Sequence, residues 1–159
     1  MENGKAERRN PTKVEKLERE LVVTRLFDAA PEIVFAAWTK PELLRQWWVP
    51  KSAGMMLVAC EMDVRTGGSY RLTFGQSGSD ETMAFFGTYL EVVPPERIVW
   101  TNDEGPDGAV TTVTFAAEGT RTRLVLRELY QSKEALEASL GAEEALPEQF
   151  AQLDALLSA

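Results

Sequence analysis

From Met55 the apolar side chains recur at every second position, and the pattern runs on, broken by turn signals, to Leu129. Only extended backbone puts alternate residues on one face, so this stretch is committed to β-strands. Met56, Val58, Cys60 and Met62 fall on one face of the first strand, Glu61 and Asp63 on the other. Gly67-Gly68 turns the chain, after which Tyr70, Leu72 and Phe74 alternate with Ser69, Arg71 and Thr73. Gly75 to Asp80 reads as a hairpin loop, and Thr82 to Val93 as a long strand ended by Pro94-Pro95. Arg97 to Thr101 is a further strand, followed by an acidic Gly/Pro loop from Asn102 to Gly108. Val110 to Phe115 and Arg121 to Leu129 make a last hairpin around Ala117-Glu118-Gly119.

Helical signals flank this block. After a β-branched strand, Leu21 to Phe27, the run Asp28-Ala29-Ala30-Pro31-Glu32 reads as a helix start, with Asp28 or a neighbour capping. Ile33, Val34, Ala37 and Trp38 then recur at helical spacing. Thr39-Lys40-Pro41-Glu42 repeats the start signal with Thr39 as cap, and Leu43, Leu44, Trp47 and Trp48 give the second short helix its apolar side. At the other end Ser132 caps a helix to Ser139, Gly141 interrupts it, and a long helix resumes with Leu146, Phe150, Leu153, Leu156 and Leu157 as its stripe. Pro147 is compatible with that helix only in its first turn or at a kink. The expected order is strand, two short helices, six antiparallel strands, helix. Residues 1–16, polar and without a period, are expected to be a disordered leader, and residues 17–159 a single domain.

Composition narrows the chemistry. The chain has no histidine, which removes Ser-His-Asp triads, Cys-His pairs and histidine metal sites. The single cysteine, Cys60, allows neither an internal disulfide nor a Cys-rich metal site, and is expected as a small core residue in a reducing compartment. We therefore expect no metal and no cofactor. A net charge of −8 opposes binding to nucleic acid. No apolar run approaches the roughly 20 residues of a membrane span, and the charged N-terminus lacks the apolar core of a secretory signal, so the reading is cytoplasmic.

Candidate site residues follow from the faces. Met56, Val58, Met62, Tyr70, Leu72, Phe74, Phe85 and Tyr89 would line the concave side of a curved sheet. Leu146, Gln149, Phe150 and Leu153 would face them from the terminal helix, with Gln149 offering a hydrogen bond. Trp47 and Trp48 form a lid or pack the short helices down; about 100° apart on a helix, they would serve different surfaces. The weak catalytic candidates are Glu128, on the apolar face of Leu124 and Leu126, and Glu91, which alternates with Tyr89. Each also reads as exposed or paired. Asp63 and Arg65 read as a structural ion pair before the glycine turn.

Taken together, these residues resemble the START/Bet v 1-like (SRPBCC) superfamily, and within it the bacterial AHSA1-like branch, named after the activator of heat-shock protein 90 ATPase homologue. The resemblance is carried by Arg25-Leu26-Phe27-Asp28-Ala29, Ala37-Trp38-Thr39, Pro41-Glu42-Leu43-Leu44 and Trp47-Trp48-Val49-Pro50. It continues through Cys60-Glu61-Met62-Asp63-Val64-Arg65 with Gly67-Gly68, the run Gly87 to Thr101, Val110 to Phe115, and Leu153 to Leu157. It implies an α+β helix-grip fold, a seven-stranded antiparallel sheet curved around the C-terminal helix, and a cavity that binds small apolar molecules in many members. It implies no reaction. The chain departs from the pattern at Gln76 and Arg127, where relatives often carry histidine, and at Gln131 and Ala145. A histidine-free member also fits an edited sequence with no natural role. Three functions are open at this stage. The first is a container for a small hydrophobic or aromatic molecule. The second is a chaperone ATPase co-regulator, for which the chain shows no motif. The third is a cofactor-free cyclase or lyase using a cavity Glu or Tyr.

Overall fold

The alternating block folds as a meander. In a computed structural model that describes residues 11–76, 78–103, 108–138 and 145–158, each alternating run becomes a strand paired with the next. The strands are β1 (Lys13–Lys16), β2 (Glu20–Phe27), β3 (Met55–Met62), β4 (Ser69–Gln76), β5 (Thr82–Val93), β6 (Arg97–Thr101), β7 (Val110–Glu118) and β8 (Arg121–Leu129). They form one antiparallel sheet in the order β1-β2-β8-β7-β6-β5-β4-β3. The expected seven strands are present and β1 adds an eighth. It is drawn from the end of the presumed leader, so the expectation of disorder fails at Lys13–Lys16; residues 1–10 lie outside the described residues. All four β1 residues are exposed and two are lysines, a composition that discourages further pairing at a sheet edge.

The described residues also form α-helices α1 (Pro31–Thr39), α2 (Pro41–Leu44), α3 (Lys133–Ala138) and α4 (Leu146–Leu157), with a short 3-10 turn at Lys51–Ala53. Proline opens α1 and α2 and lies in the first turn of α4, where its missing N–H costs nothing. The caps differ from expectation. Asp28 pairs instead with Arg121 at 3.2 Å, and Ala30 begins α1 without a side-chain cap. Thr39 belongs to α1 and donates back to the Phe35 carbonyl at 3.0 Å. Ile33 points to solvent. Ser132 does cap α3, accepting the Ala135 N–H at 3.1 Å. Gly141, expected to interrupt the C-terminal helix, lies outside the described residues.

Two β-bulges shape the sheet and decide which side chains face inward. In β3 the register slips between Leu57 and Ala59, and in β5 between Tyr89 and Glu91. An extra residue bends its strand and swaps the faces beyond it. Before the β3 bulge Met55 and Leu57 face the interior, and after it Cys60 and Met62 do. Met56 and Val58 are therefore outward, 50% and 48% exposed, contrary to the strict alternation. Close backbone approach helps the bend: a Cβ on Gly87 would lie 2.0 Å from the Thr101 carbonyl oxygen, so only glycine fits there.

Candidate functional site

The concave face of the sheet, α4 and the segment joining α2 to β3 border a largely apolar cavity of about 690 Å³ that is open to solvent on one side. The aromatic side is contributed by helix and strand together. Trp38 of α1 meets Trp47 at 4.8 Å and Trp48 at 5.8 Å, both edge to face, and lies 6.0 Å from Trp100 of β6. Edge-to-face pairing suits the ring quadrupoles and fixes the relative orientation of these large side chains. Both tryptophans of the adjacent pair line the cavity. The two were expected to serve different surfaces; instead both reach the cavity, from hydrogen-bonded turns in which the N–H groups of Trp47 and Trp48 meet the Leu44 carbonyl at 3.2 and 3.0 Å. Trp47 is fully buried and donates its indole N–H to the Ala37 carbonyl at 3.0 Å, whereas Trp48 is half-buried.

A set of hydrogen bonds holds this segment against α4. Gln152 donates to the carbonyls of Trp47 (2.9 Å) and Val49 (3.0 Å) and accepts the Lys51 N–H at 2.9 Å. Gln149 donates to the Trp48 carbonyl. Glu148 accepts the Ser52 N–H at 3.0 Å and its hydroxyl at 2.5 Å. Gln149 does line the cavity, but its amide donor is committed to the wall.

Of the other expected lining residues, Met62, Tyr70, Leu72, Phe74, Phe85, Tyr89, Leu146 and Phe150 border the cavity. Leu153 does not; it is fully buried in the core. Met56 and Val58 are on the opposite face, as described. Glu91 is likewise outside: beyond the β5 bulge it turns outward and pairs with Arg97. Asp63 and Arg65 form the expected surface pair, with Arg65 Nε 2.9 Å from Asp63 Oδ2. Cys60 packs against the core, and burial pushes its thiol pKa up, which disfavours the reactive thiolate.

Sequence reasoning missed Trp38, Met55, Met83, Trp100, Asn102 and Tyr130, which also border the cavity. Met83 shares the parity of Phe85 and Tyr89, and Trp100 that of Ile98, so alternation held enough signal for those two. Met55 needs knowledge of the β3 bulge.

The cavity's polar groups gather toward one end of the sheet. Glu128 on β8 is the one charged side chain among the described residues of the wall. Tyr130 donates its hydroxyl to Glu128 Oε2 at 2.7 Å. Burial raises the carboxyl pKa above the usual range, and the Tyr130 bond opposes this only in part. Next to it Asn102 donates to the Ala109 carbonyl (2.8 Å) and to Thr111 Oγ1 (3.0 Å). Tyr70 gives its hydroxyl to the Thr101 carbonyl at 2.7 Å, and burial raises the phenol pKa of Tyr89 well above normal. Among the described residues no group of three acidic or cysteine side chains is placed to hold a metal ion, and no helix is long and apolar enough to cross a membrane.

The same architecture occurs in solved bacterial structures. A protein from Rhodobacter sphaeroides is 22% identical with a TM-score of 0.85, over 92% of this chain and 98% of that one. A Mycobacterium smegmatis protein is 24% identical with a TM-score of 0.81, over 94% and 98%. A Chromobacterium violaceum protein is 28% identical with a TM-score of 0.70, over 89% and 99%. No curated protein matches the sequence. The family model described as activator of Hsp90 ATPase homolog 1-like protein matches residues 28–158, and the chain belongs to that family.

Proposed function

We propose that this protein binds a small hydrophobic or aromatic molecule in the cavity between its sheet and α4. The observation that carries this reading is the cavity itself: about 690 Å³ of space with mostly apolar walls, bordered by side chains of the buried core. That size lies within the usual range of small-ligand sites, roughly 300–1,000 Å³. Unfilled apolar space of this size forfeits dispersion contacts and stabilises nothing by itself. An apolar guest restores those contacts, and the tryptophan walls offer flat surfaces to an aromatic one.

The test is saturable binding of a neutral solvatochromic dye to the native protein, followed by displacement with uncharged aromatic and aliphatic compounds. Leu72→Trp, which fills the cavity from β4, should weaken dye binding by at least about tenfold while the far-UV circular dichroism stays that of the parent. Equal dye binding by the filled variant would remove the cavity as the site.

A further inference from the structure

We propose that the guest carries a protonated amine, and that Glu128 receives it. This inference rests on the cavity being the binding site and names the chemical class that it selects.

The register of the sheet places Glu128 in a row that crosses the cavity wall. Tyr89 pairs with Trp100, Trp100 with Thr111, Thr111 with Glu128, and Glu128 with Leu21. Strands lie about 4.8 Å apart, so the Trp100 ring and the Glu128 carboxyl start from backbone positions about 10 Å apart. The small side chain of Thr111 stands between them. A fused aromatic ring resting near Trp100 would bring a nitrogen two or three bonds away up to the carboxyl.

The carboxyl is also free to receive it. Glu128 Oε2 accepts the Tyr130 hydroxyl, whereas Oε1 takes no hydrogen bond from the described residues. No lysine or arginine borders the cavity among the described residues, and Arg19, just before β2, gives its guanidinium to the Tyr130 backbone carbonyl at 3.2 Å. Its neighbours in register, Leu21 and Thr111, carry no charge, and Tyr130 is the titratable group bonded to it. A buried anion with no counter-ion is costly, and a guest that supplies the counter-ion relieves that cost. Aromatic walls attract a cation by their ring faces as well. The chain's net charge of −8 biases the approach in the same direction, drawing cations and repelling anions. A carboxylate-bearing guest would put two like charges into one apolar space.

The experiment compares three probes of similar shape by calorimetry at neutral pH: naphthylethylamine, ethylnaphthalene and naphthylacetate. The amine should bind at least about tenfold more tightly than the neutral hydrocarbon, and the anion more weakly than both. In Glu128→Gln the ratio of amine to ethylnaphthalene affinity should fall to about one, with a far-UV circular dichroism spectrum like the parent's showing that the variant is folded. Equal affinity for amine and hydrocarbon, or an amine preference that survives Glu128→Gln, overturns the assignment and leaves the cavity as an unselective container. Failure of all three probes to bind would instead overturn the container reading, and the amine assignment with it.

Discussion

The two halves of the sheet use their inner faces differently. Over most of β2, β7 and β8 the interior is closed: Val23, Phe27, Val113, Phe115, Leu124 and Leu153 are buried away from the cavity, which this half meets at Leu21, Leu126 and Glu128, and Phe27 packs edge to face on Phe150 at 5.8 Å. Along β3, β4 and β5 the inward side chains are mixed: Tyr70, Leu72, Phe74 and Tyr89 are buried, whereas those at the cavity rim are looser. Phe85 is 39% exposed and Met83 is 50% exposed, although both border the cavity. The same residue types thus stabilise the fold in one half and leave apolar surface uncovered in the other. An apolar residue adds stability only where its neighbours close around it.

Substitutions should separate the halves. The largest loss is expected from Leu153→Ala in the closed half, about 3–4 kcal/mol in urea unfolding. A loss below about 1 kcal/mol would show that α4 packs less tightly than Leu153's burial indicates. Gln152→Ala should cost about 2 kcal/mol, because it strands the Trp47 and Val49 carbonyls and the Lys51 N–H in a part-buried site. It should also shift the tryptophan emission to the red as Trp48 becomes wetter.

Glu128→Gln should act in the opposite direction. The folded carboxyl pKa is raised, so the stabilising protonated form is fully present below the ordinary glutamate value of about 4.3 and is lost as pH rises through the folded value. The glutamine variant, which keeps an acceptor for Tyr130, should be more stable than the parent near neutral pH. The two melting curves should converge near pH 4; a gap independent of pH would assign the effect to something other than ionisation. The smallest change belongs to the open half. Phe85→Ala should alter stability by less than about 1 kcal/mol yet weaken dye binding several-fold. A core-sized loss of stability there would erase the distinction between the halves.

Most of the architecture was legible because it rests on local physics. A period of two commits the chain to strands, Gly67-Gly68 and Pro94-Pro95 end them, and proline opens the helices. Three of the misplaced residues share one cause. Met56, Val58 and Glu91 were assigned by unbroken alternation, and each lies on the wrong side of a bulge. A bulge changes no residue type in its surroundings, so the sequence pattern runs straight through it. The edge strand β1 was missed for a related reason: with both of its faces exposed, it carries no apolar alternation to read.

The sequence by itself determined the strands, the helices, the family they build and the absence of histidine chemistry, since each follows from residue types and their spacing along the chain. Only the tertiary structure decided that Trp38, Trp47, Trp48 and Trp100 share one wall, that Gln149 and Gln152 clasp the chain rather than a guest, and that Glu128 borders the cavity, the one charged side chain to do so among the described residues. Those outcomes depend on strand register and on side chains about a hundred positions apart meeting across the fold, as Gln152 meets Trp47. Contacts of that range are set by closure of the sheet around the helix, not by any local pattern.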